Sequence, residues 1–311
     1  MQSLCIVIPV FNEADALARN LEQILAGIGH IDDLRLRVLL VNDGSDDDTV
    51  AVAQALCERY PQLSLLSLNR HFGKEAAIVA GLSHVTDDAA VVMDSDLQHP
   101  PQLVARMVAL WRGGVQVVEA RKLSRPSQSM AYRLMARIFY SAFDTLTGMD
   151  LRNHSDFKLL DRSVIDAYLA LPERNRFFRG LIQWMHFSSA IVPFDEPQRE
   201  RGRSKWGLVR LLNLSWQSVS SFTSLPLHLV TLMGFFTFIV SLVLGGKALY
   251  DKMSGQALDG FTTVILLLLI IGSVLMFSLG LVGSYLARIY DEIKARPVYL
   301  VDEKNSRLRD D

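Results

Sequence analysis

Two stretches of this chain, 222–246 and 261–287, contain no Asp, Glu, Lys or Arg. Each exceeds the roughly 20 apolar residues that cross the hydrocarbon core of a bilayer, where a charged side chain would be costly. The region 222–288 is therefore expected to form a transmembrane hairpin, with helices over about 222–248 and 261–287. The connector 247–260 holds two Lys and two Asp. Cations crowd the outer flanks: Arg199, Arg201, Arg203, Lys205 and Arg210 before, then Arg288, Lys294 and Arg296 after. The positive-inside rule then predicts a multi-pass protein of the inner membrane with both termini in the cytoplasm. Trp206, Leu208, Leu211, Leu212, Trp216 and Val219 give 206–221 an amphipathic pattern, expected to lie along the membrane surface. Residues 289–311 are left as a cytoplasmic tail. Gly280 and Ser284 form a small-xxx-small pair that favours close helix approach and a homo-oligomer.

The remaining 1–205 have ordinary globular character. Apolar runs at 4–10, 37–41, 63–68 and 90–93 read as buried strands. Between them, Leu17, Leu21, Ile24, Leu25 and Ile28 recur at helical spacing, Ser45 reads as a helix N-cap with Asp48 three residues on, and helices are expected over 75–84 and 102–111. Strands alternating with helices predict an α/β domain around a mainly parallel sheet. A net charge of −1 offers a nucleic-acid partner no electrostatic footing. Cys5 and Cys57 read as buried thiols rather than a disulfide. The N-terminus lacks a basic region and becomes charged at Glu13, unlike a signal peptide.

Polar residues collect where the strands end: Asn12 and Glu13, Asn42 and Asp43, Asn69 and Arg70, Asp94 and Asp96. In an open parallel sheet those ends line the ligand crevice. Asp94 and Asp96, two apart on an extended chain, point the same way. Paired carboxylates call for a cation, and Mg²⁺ or Mn²⁺ takes oxygen ligands from one or two acids plus substrate phosphates. Such an ion stabilises charge on a departing diphosphate.

Val7-Ile8-Pro9-Val10-Phe11-Asn12-Glu13, Asn42-Asp43-Gly44-Ser45, Asn69-Arg70, Gly73-Lys74 and Asp94-Ser95-Asp96-Leu97-Gln98-His99, in this order and spacing, resemble family-2 glycosyltransferases. The resemblance is to the dolichol-phosphate mannose synthase type and its bacterial relatives acting on undecaprenyl phosphate. It covers nearly the whole chain and implies a GT-A nucleotide-sugar-binding domain. By the same resemblance Pro9, Phe11, Glu13, Asp43, Asp94 and Gln98 would bind the nucleotide-sugar, and Asp96 and Gln98 would approach the metal. Where the family usually places two acids before the glycine, this chain has Asn42-Asp43. Gly73-Lys74 is not a Walker loop, because the glycine five residues earlier and the following hydroxyl are missing.

The segment 155–162 resembles the family's acceptor side and makes Asp156, with Asp96, the catalytic pair. The nucleophile would be a phosphate monoester with a second pKa of about 6, which hardly needs a base, so Asp156 either takes a proton or orients a substrate. Arg121, Arg133, Arg137, Arg201 and Lys205 are the expected contacts to the acceptor phosphate, since guanidinium and ammonium groups suit phosphate. His71, His99 and His154 have no partner at ligand spacing. The expected reaction is inverting transfer of a hexose, glucose from UDP-glucose, to a polyprenyl phosphate. GDP-mannose or a UDP-aminoarabinose derivative is the alternative donor. A processive polysaccharide synthase would carry a Gln-x-x-Arg-Trp segment, which this sequence lacks. A non-catalytic nucleotide-sugar sensor would have no use for the basic acceptor-side residues.

Overall fold

The computed structural model describes residues 1–122, 155–174, 176–194, 225–254 and 261–309. Two compact units result, Met1–Lys205 joined by Pro297–Asp311, and Trp206–Arg296.

The first unit runs β1 (Gln2–Val10), α1 (Ala14–Ile28), β2 (Leu34–Asn42), α2 (Thr49–Arg59), β3 (Leu63–Ser67), α3 (Lys74–Ser83), β4 (Ala89–Val92), α4 (Leu103–Arg112), β5 (Val117–Lys122), β6 (Lys158–Asp161), α5 (Arg162–Ala170), α6 (Phe178–Trp184) and β7 (Ser189–Phe194). The sheet order is β3-β2-β1-β4-β6-β5-β7. The expected parallel arrangement holds from β3 to β4, and β6 then inserts antiparallel to both β4 and β5. Leu4 to Ile8 of β1 are buried on both faces, as an apolar run covered by helices on both sides requires. Leu17, Leu21, Ile24 and Ile28 of α1 point into the same core. Gly81 on α3 lets that helix lie on β1, since a Cβ there would come within 2.3 Å of Val7 Cγ1.

Two local expectations change. Ser45 does not cap α2. Its hydroxyl accepts the Asn12 amide, and Asp47 receives the Thr49 amide at 3.0 Å instead. Residues 297–309, expected as a plain tail, lie along the outer edge of β3. Leu65 and Arg307 exchange backbone hydrogen bonds at 3.0 and 2.7 Å, Asp302 donates to Ser67 at 2.8 Å, and Asn69 donates to Leu300 at 3.0 Å. Arg309 donates to the carbonyls of Cys57 and Pro61. An open edge strand is a template for aggregation; here the chain's own C-terminus occupies it.

The second unit contains α7 (Leu225–Met253) and α8 (Phe261–Ile293), which contact each other. Leu232, Phe236, Leu242, Val243, Leu268 and Met276 are all more than three-fifths exposed among the described residues. Among the described residues, Ile270–Ile293 is long and apolar enough to cross a membrane, and Leu232–Leu244 is a shorter apolar stretch. The surface helix expected over 206–221 lies outside the described residues.

Candidate active site

The loops following β1 and β2 are clasped together. Asn12, in the left-handed region at φ 53°, donates its amide to Ser45 Oγ at 2.9 Å and accepts the Asp46 amide at 2.9 Å. Asn42 is buried, accepts the Ser45 amide at 3.2 Å and donates to Ser67 Oγ at 3.4 Å. It therefore ties the loop to β3, which is what the residue in place of the first acid does. Asp43, also buried, accepts the amides of Phe72 and Gly73 at 2.8 and 2.9 Å and lies 2.9 Å from His71 Nδ1. The His71 ring in turn stacks on Phe11 at 4.1 Å. Gly44 permits this closeness: its φ is +64°, and a Cβ would fall 2.1 Å from the Arg70 carbonyl carbon, so any side chain there would be strained and crowded. Phe11, His71, Asp43 and the 71–73 turn thus form one connected group at the carboxyl ends of β1 and β2.

Beyond β4 the acidic segment is fixed from beneath. Ser95 is buried, donates to Glu13 Oε2 and accepts from Asn20 Nδ2 at 2.9 Å. Burial raises the Glu13 pKa against the lowering effect of the Ser95 bond, and the charges of Asp96 and Asp94 add to the rise. His99 is buried, stacks on Phe157 at 5.0 Å and accepts the Asp94 amide on Nδ1 at 3.3 Å. Leu97 takes a left-handed turn at φ 60°, and the Gln98 amide donates to Asp96 Oδ1 at 3.1 Å. Asp96 itself is exposed.

Antiparallel pairing explains how a residue 62 positions later joins this site. Val92 is in register with Lys158 and Glu119 with Lys158. Continuing each ladder by two residues places Asp94 and Arg121 at the level of Asp156. Asp156 is buried, and its two oxygens meet Arg179 Nε at 2.6 Å and Nη2 at 2.8 Å. Lys74 Nζ lies 2.7 Å from Asp156 Oδ2 and 2.5 Å from Asp94 Oδ1. Burial alone would raise the Asp156 pKa, but Arg179 and Lys74 outweigh it and hold the carboxyl well below the usual carboxylate range. Burial would likewise lower the Lys74 ammonium, and Asp156 with Asp94 reverse that. Behind them Glu75 accepts the Phe178 amide at 2.9 Å; burial, then the Asp156 charge, push its pKa up to about 7. Next to this group Lys158 Nζ pairs with Glu119 Oε2 at 3.0 Å, both almost fully buried, and Arg121 Nη2 stands 3.6 Å from the same carboxylate.

Of the residues expected from sequence, Pro9, Phe11, Glu13, Asp43, Asp94, Asp96, Gln98, Arg121 and Asp156 stand at one end of the sheet. Arg133, Arg137, Arg201 and Lys205 lie outside the described residues. Lys74, Glu75 and Lys158 stand in or beside motifs that give them no role, and Glu119 and Arg179 belong to no motif. No cluster of three or more His, Cys, Asp or Glu with metal-ligand geometry occurs among the described residues. Two crevice acids of one loop still suit Mg²⁺ or Mn²⁺, which takes few protein oxygens and completes its shell with phosphates and water.

Comparison with known proteins gives the family. Residues 5–169 match the model of Glycosyl transferase family 2. The putative glycosyltransferase CsbB of Bacillus subtilis is 35% identical over 313 residues, covering 99% of this chain and 93% of that protein. The bactoprenol glucosyl transferase of Shigella phage SfX is 31% identical over 309 residues, covering 97% and 99%. Among solved structures, mannosyl-3-phosphoglycerate synthase from Rubrobacter xylanophilus shares the fold, with a TM-score of 0.52 and 19% identity over 70% of this chain and 72% of that one. The chain belongs to glycosyl transferase family 2 and is a glycosyltransferase with a GT-A-like catalytic unit.

Proposed function

We propose that the enzyme transfers glucose from UDP-glucose to a polyprenyl phosphate at a membrane surface, with inversion at the anomeric carbon. The bridge from Asp94 through Lys74 to Asp156 carries this reading, because it joins the diphosphate side of the crevice to the acceptor side. Full-length similarity to a protein named bactoprenol glucosyl transferase supports glucose and a polyprenyl carrier.

An oxygen of the acceptor phosphate attacks the anomeric carbon as the bond from that carbon to the nucleoside diphosphate breaks. A phosphate monoester is largely ionised near neutrality, so no proton has to be removed. Asp156, held ionised by Arg179 and Lys74, is too weak a base for that task; it serves as a fixed anion that orients the cations around it. Phe11, His71 and Asp43 frame the nucleoside end, with Pro9 and Glu13 behind. Arg121, with Arg133, Arg137, Arg201 and Lys205, supplies positive charge to the acceptor phosphate. Asp96, with Asp94 and Gln98, would hold Mg²⁺ or Mn²⁺, which stabilises negative charge on the leaving diphosphate.

We further infer that α7 and α8 form a transmembrane hairpin, with both termini and the catalytic unit on the cytoplasmic side and 206–221 along the surface. The exposed apolar side chains of both helices support it, as do the flanking cations. Gly280 and Ser284 support helix association between copies.

The test is incubation of the detergent-purified chain with Mn²⁺, undecaprenyl phosphate and a panel of UDP-glucose, GDP-mannose and a UDP-aminoarabinose derivative. A β-linked lipid glucose is expected from α-linked UDP-glucose, and Asp96→Ala, at an exposed position, should abolish it without unfolding. Absence of lipid-linked product with every donor would overturn the reading.

A further inference from the structure

Lys74 occupies an unusual position for a lysine. Its ammonium sits between two carboxylates, 2.5 Å from Asp94 Oδ1 and 2.7 Å from Asp156 Oδ2. It is fixed at the first residue of α3, directly after the turn that Asp43 holds by two amides. Asp156 has a second cation of its own in Arg179, through two hydrogen bonds. Asp94 lies in the acidic group formed with Asp96 and Glu13, where the carboxylates repel one another. Lys74 is thus the positive charge placed on the acids of the donor side.

We propose that Lys74 acts as a resident counter-ion that keeps a divalent cation off Asp94 until a nucleoside diphosphate arrives. This rests on the proposed use of Mg²⁺ or Mn²⁺ by Asp94 and Asp96. An ammonium and a divalent ion cannot both lie against one carboxylate oxygen without strong repulsion. Ion binding to Asp94 Oδ1 of the free enzyme therefore requires displacement of Lys74. A diphosphate changes the balance: it brings oxygens for the ion and offers the lysine another anion, since ammonium serves phosphate as a point charge. Ion and nucleotide would then enter together, and the free site would stay largely empty of metal.

Binding of Mn²⁺ alone to the full chain in detergent, followed by the paramagnetic signal of the free ion, tests this without turnover. Lys74→Met should tighten Mn²⁺ binding by about fivefold, the scale of one partly exposed ion pair. Lys74→Arg, which retains the charge, should stay near wild type. Adding UDP should tighten Mn²⁺ binding more in the wild type than in Lys74→Met. Asp94→Asn should remove the difference between the two backgrounds. Equal Mn²⁺ affinity with and without the lysine, together with intact UDP-dependent binding, would overturn the counter-ion role and leave the metal reading standing. No Mn²⁺ binding in any protein, even with UDP, would overturn both.

Discussion

Arg179 grips Asp156 through two hydrogen bonds, Nε to Oδ1 at 2.6 Å and Nη2 to Oδ2 at 2.8 Å. This fork–fork geometry is available to arginine and not to lysine. Arg179→Lys is therefore expected to lower kcat/KM by about a hundredfold, the cost of a small displacement in a reacting site. Asp156→Asn should be at least as severe, because it also releases Lys74. Steady-state kinetics with lipid acceptor decides the matter, and near-normal turnover of Arg179→Lys would contradict it.

The same pair has a consequence for pH. The folded-state pKa of Asp156 is depressed, so its contribution to stability is present above the unfolded carboxylate value of about 3.9 and is lost only as pH falls through the lower folded value. Between pH 5 and 9 the Asp156 carboxylate should not titrate. Arg179→Ala removes the larger of its two cations and should move an acidic limb upward into the accessible range. A pH–kcat profile identical in the two proteins would argue against this.

Glu75 behaves oppositely. Its folded pKa is raised to about 7, by burial first and Asp156 second. Its contribution to stability is complete below the unfolded value and is lost as pH rises through about 7. Glu75→Gln keeps an acceptor for the Phe178 amide and removes the titration. The variant should melt higher than wild type at pH 8 and show a flatter Tm between pH 5 and 8. Glu75→Ala leaves that amide unsatisfied and should lose about 1–3 kcal/mol at every pH. Calorimetry across the range distinguishes the two.

Lys158 and Glu119 form a buried ion pair on adjacent strands. Removing Glu119 takes the paired carboxylate from the buried Lys158 ammonium, so Glu119→Met should cost about 3–5 kcal/mol, whereas replacing both by Met should recover part of the loss. Denaturant unfolding of the single and double variants measures this. Equal destabilisation of both would show that the pair itself, rather than an orphaned charge, carries the stability.

These residues also mark where sequence stops being legible. The strands β1 to β4 were readable because covered parallel strands are continuous apolar runs, and their ends displayed Asp43, Asp94 and Asp96 in recognisable order. Strand β6 opens with Lys158, whose charge masks a strand residue because its partner Glu119 is 39 positions away. Arg179 lies on a seven-residue helix with no motif, and only the tertiary fold brings it to Asp156, 23 positions earlier. The C-terminal segment pairs by two isolated bridges, Arg307 with Leu65 and Val301 with Leu68, a pattern with no period to detect.

That segment carries the last prediction. Residues 297–309 satisfy the outer edge of β3, and the Leu300 carbonyl holds the Asn69 amide at 3.0 Å, at the start of the loop that leads through His71 to the Asp43-bound turn. Truncation after Arg296 should expose the β3 edge, promote aggregation and lower Tm by several degrees, the shift expected when a few hydrogen bonds of about 1 kcal/mol each are lost. Because the loosened loop carries His71 and the Asp43-bound turn, which are proposed to frame the nucleoside, donor KM should rise several-fold, more than kcat falls. Arg309→Ala, losing only the bonds to Cys57 and Pro61, should produce a smaller Tm shift with KM unchanged. If truncation left both Tm and donor KM at wild-type values, the tail would not be the element that closes the sheet edge and steadies the donor loop.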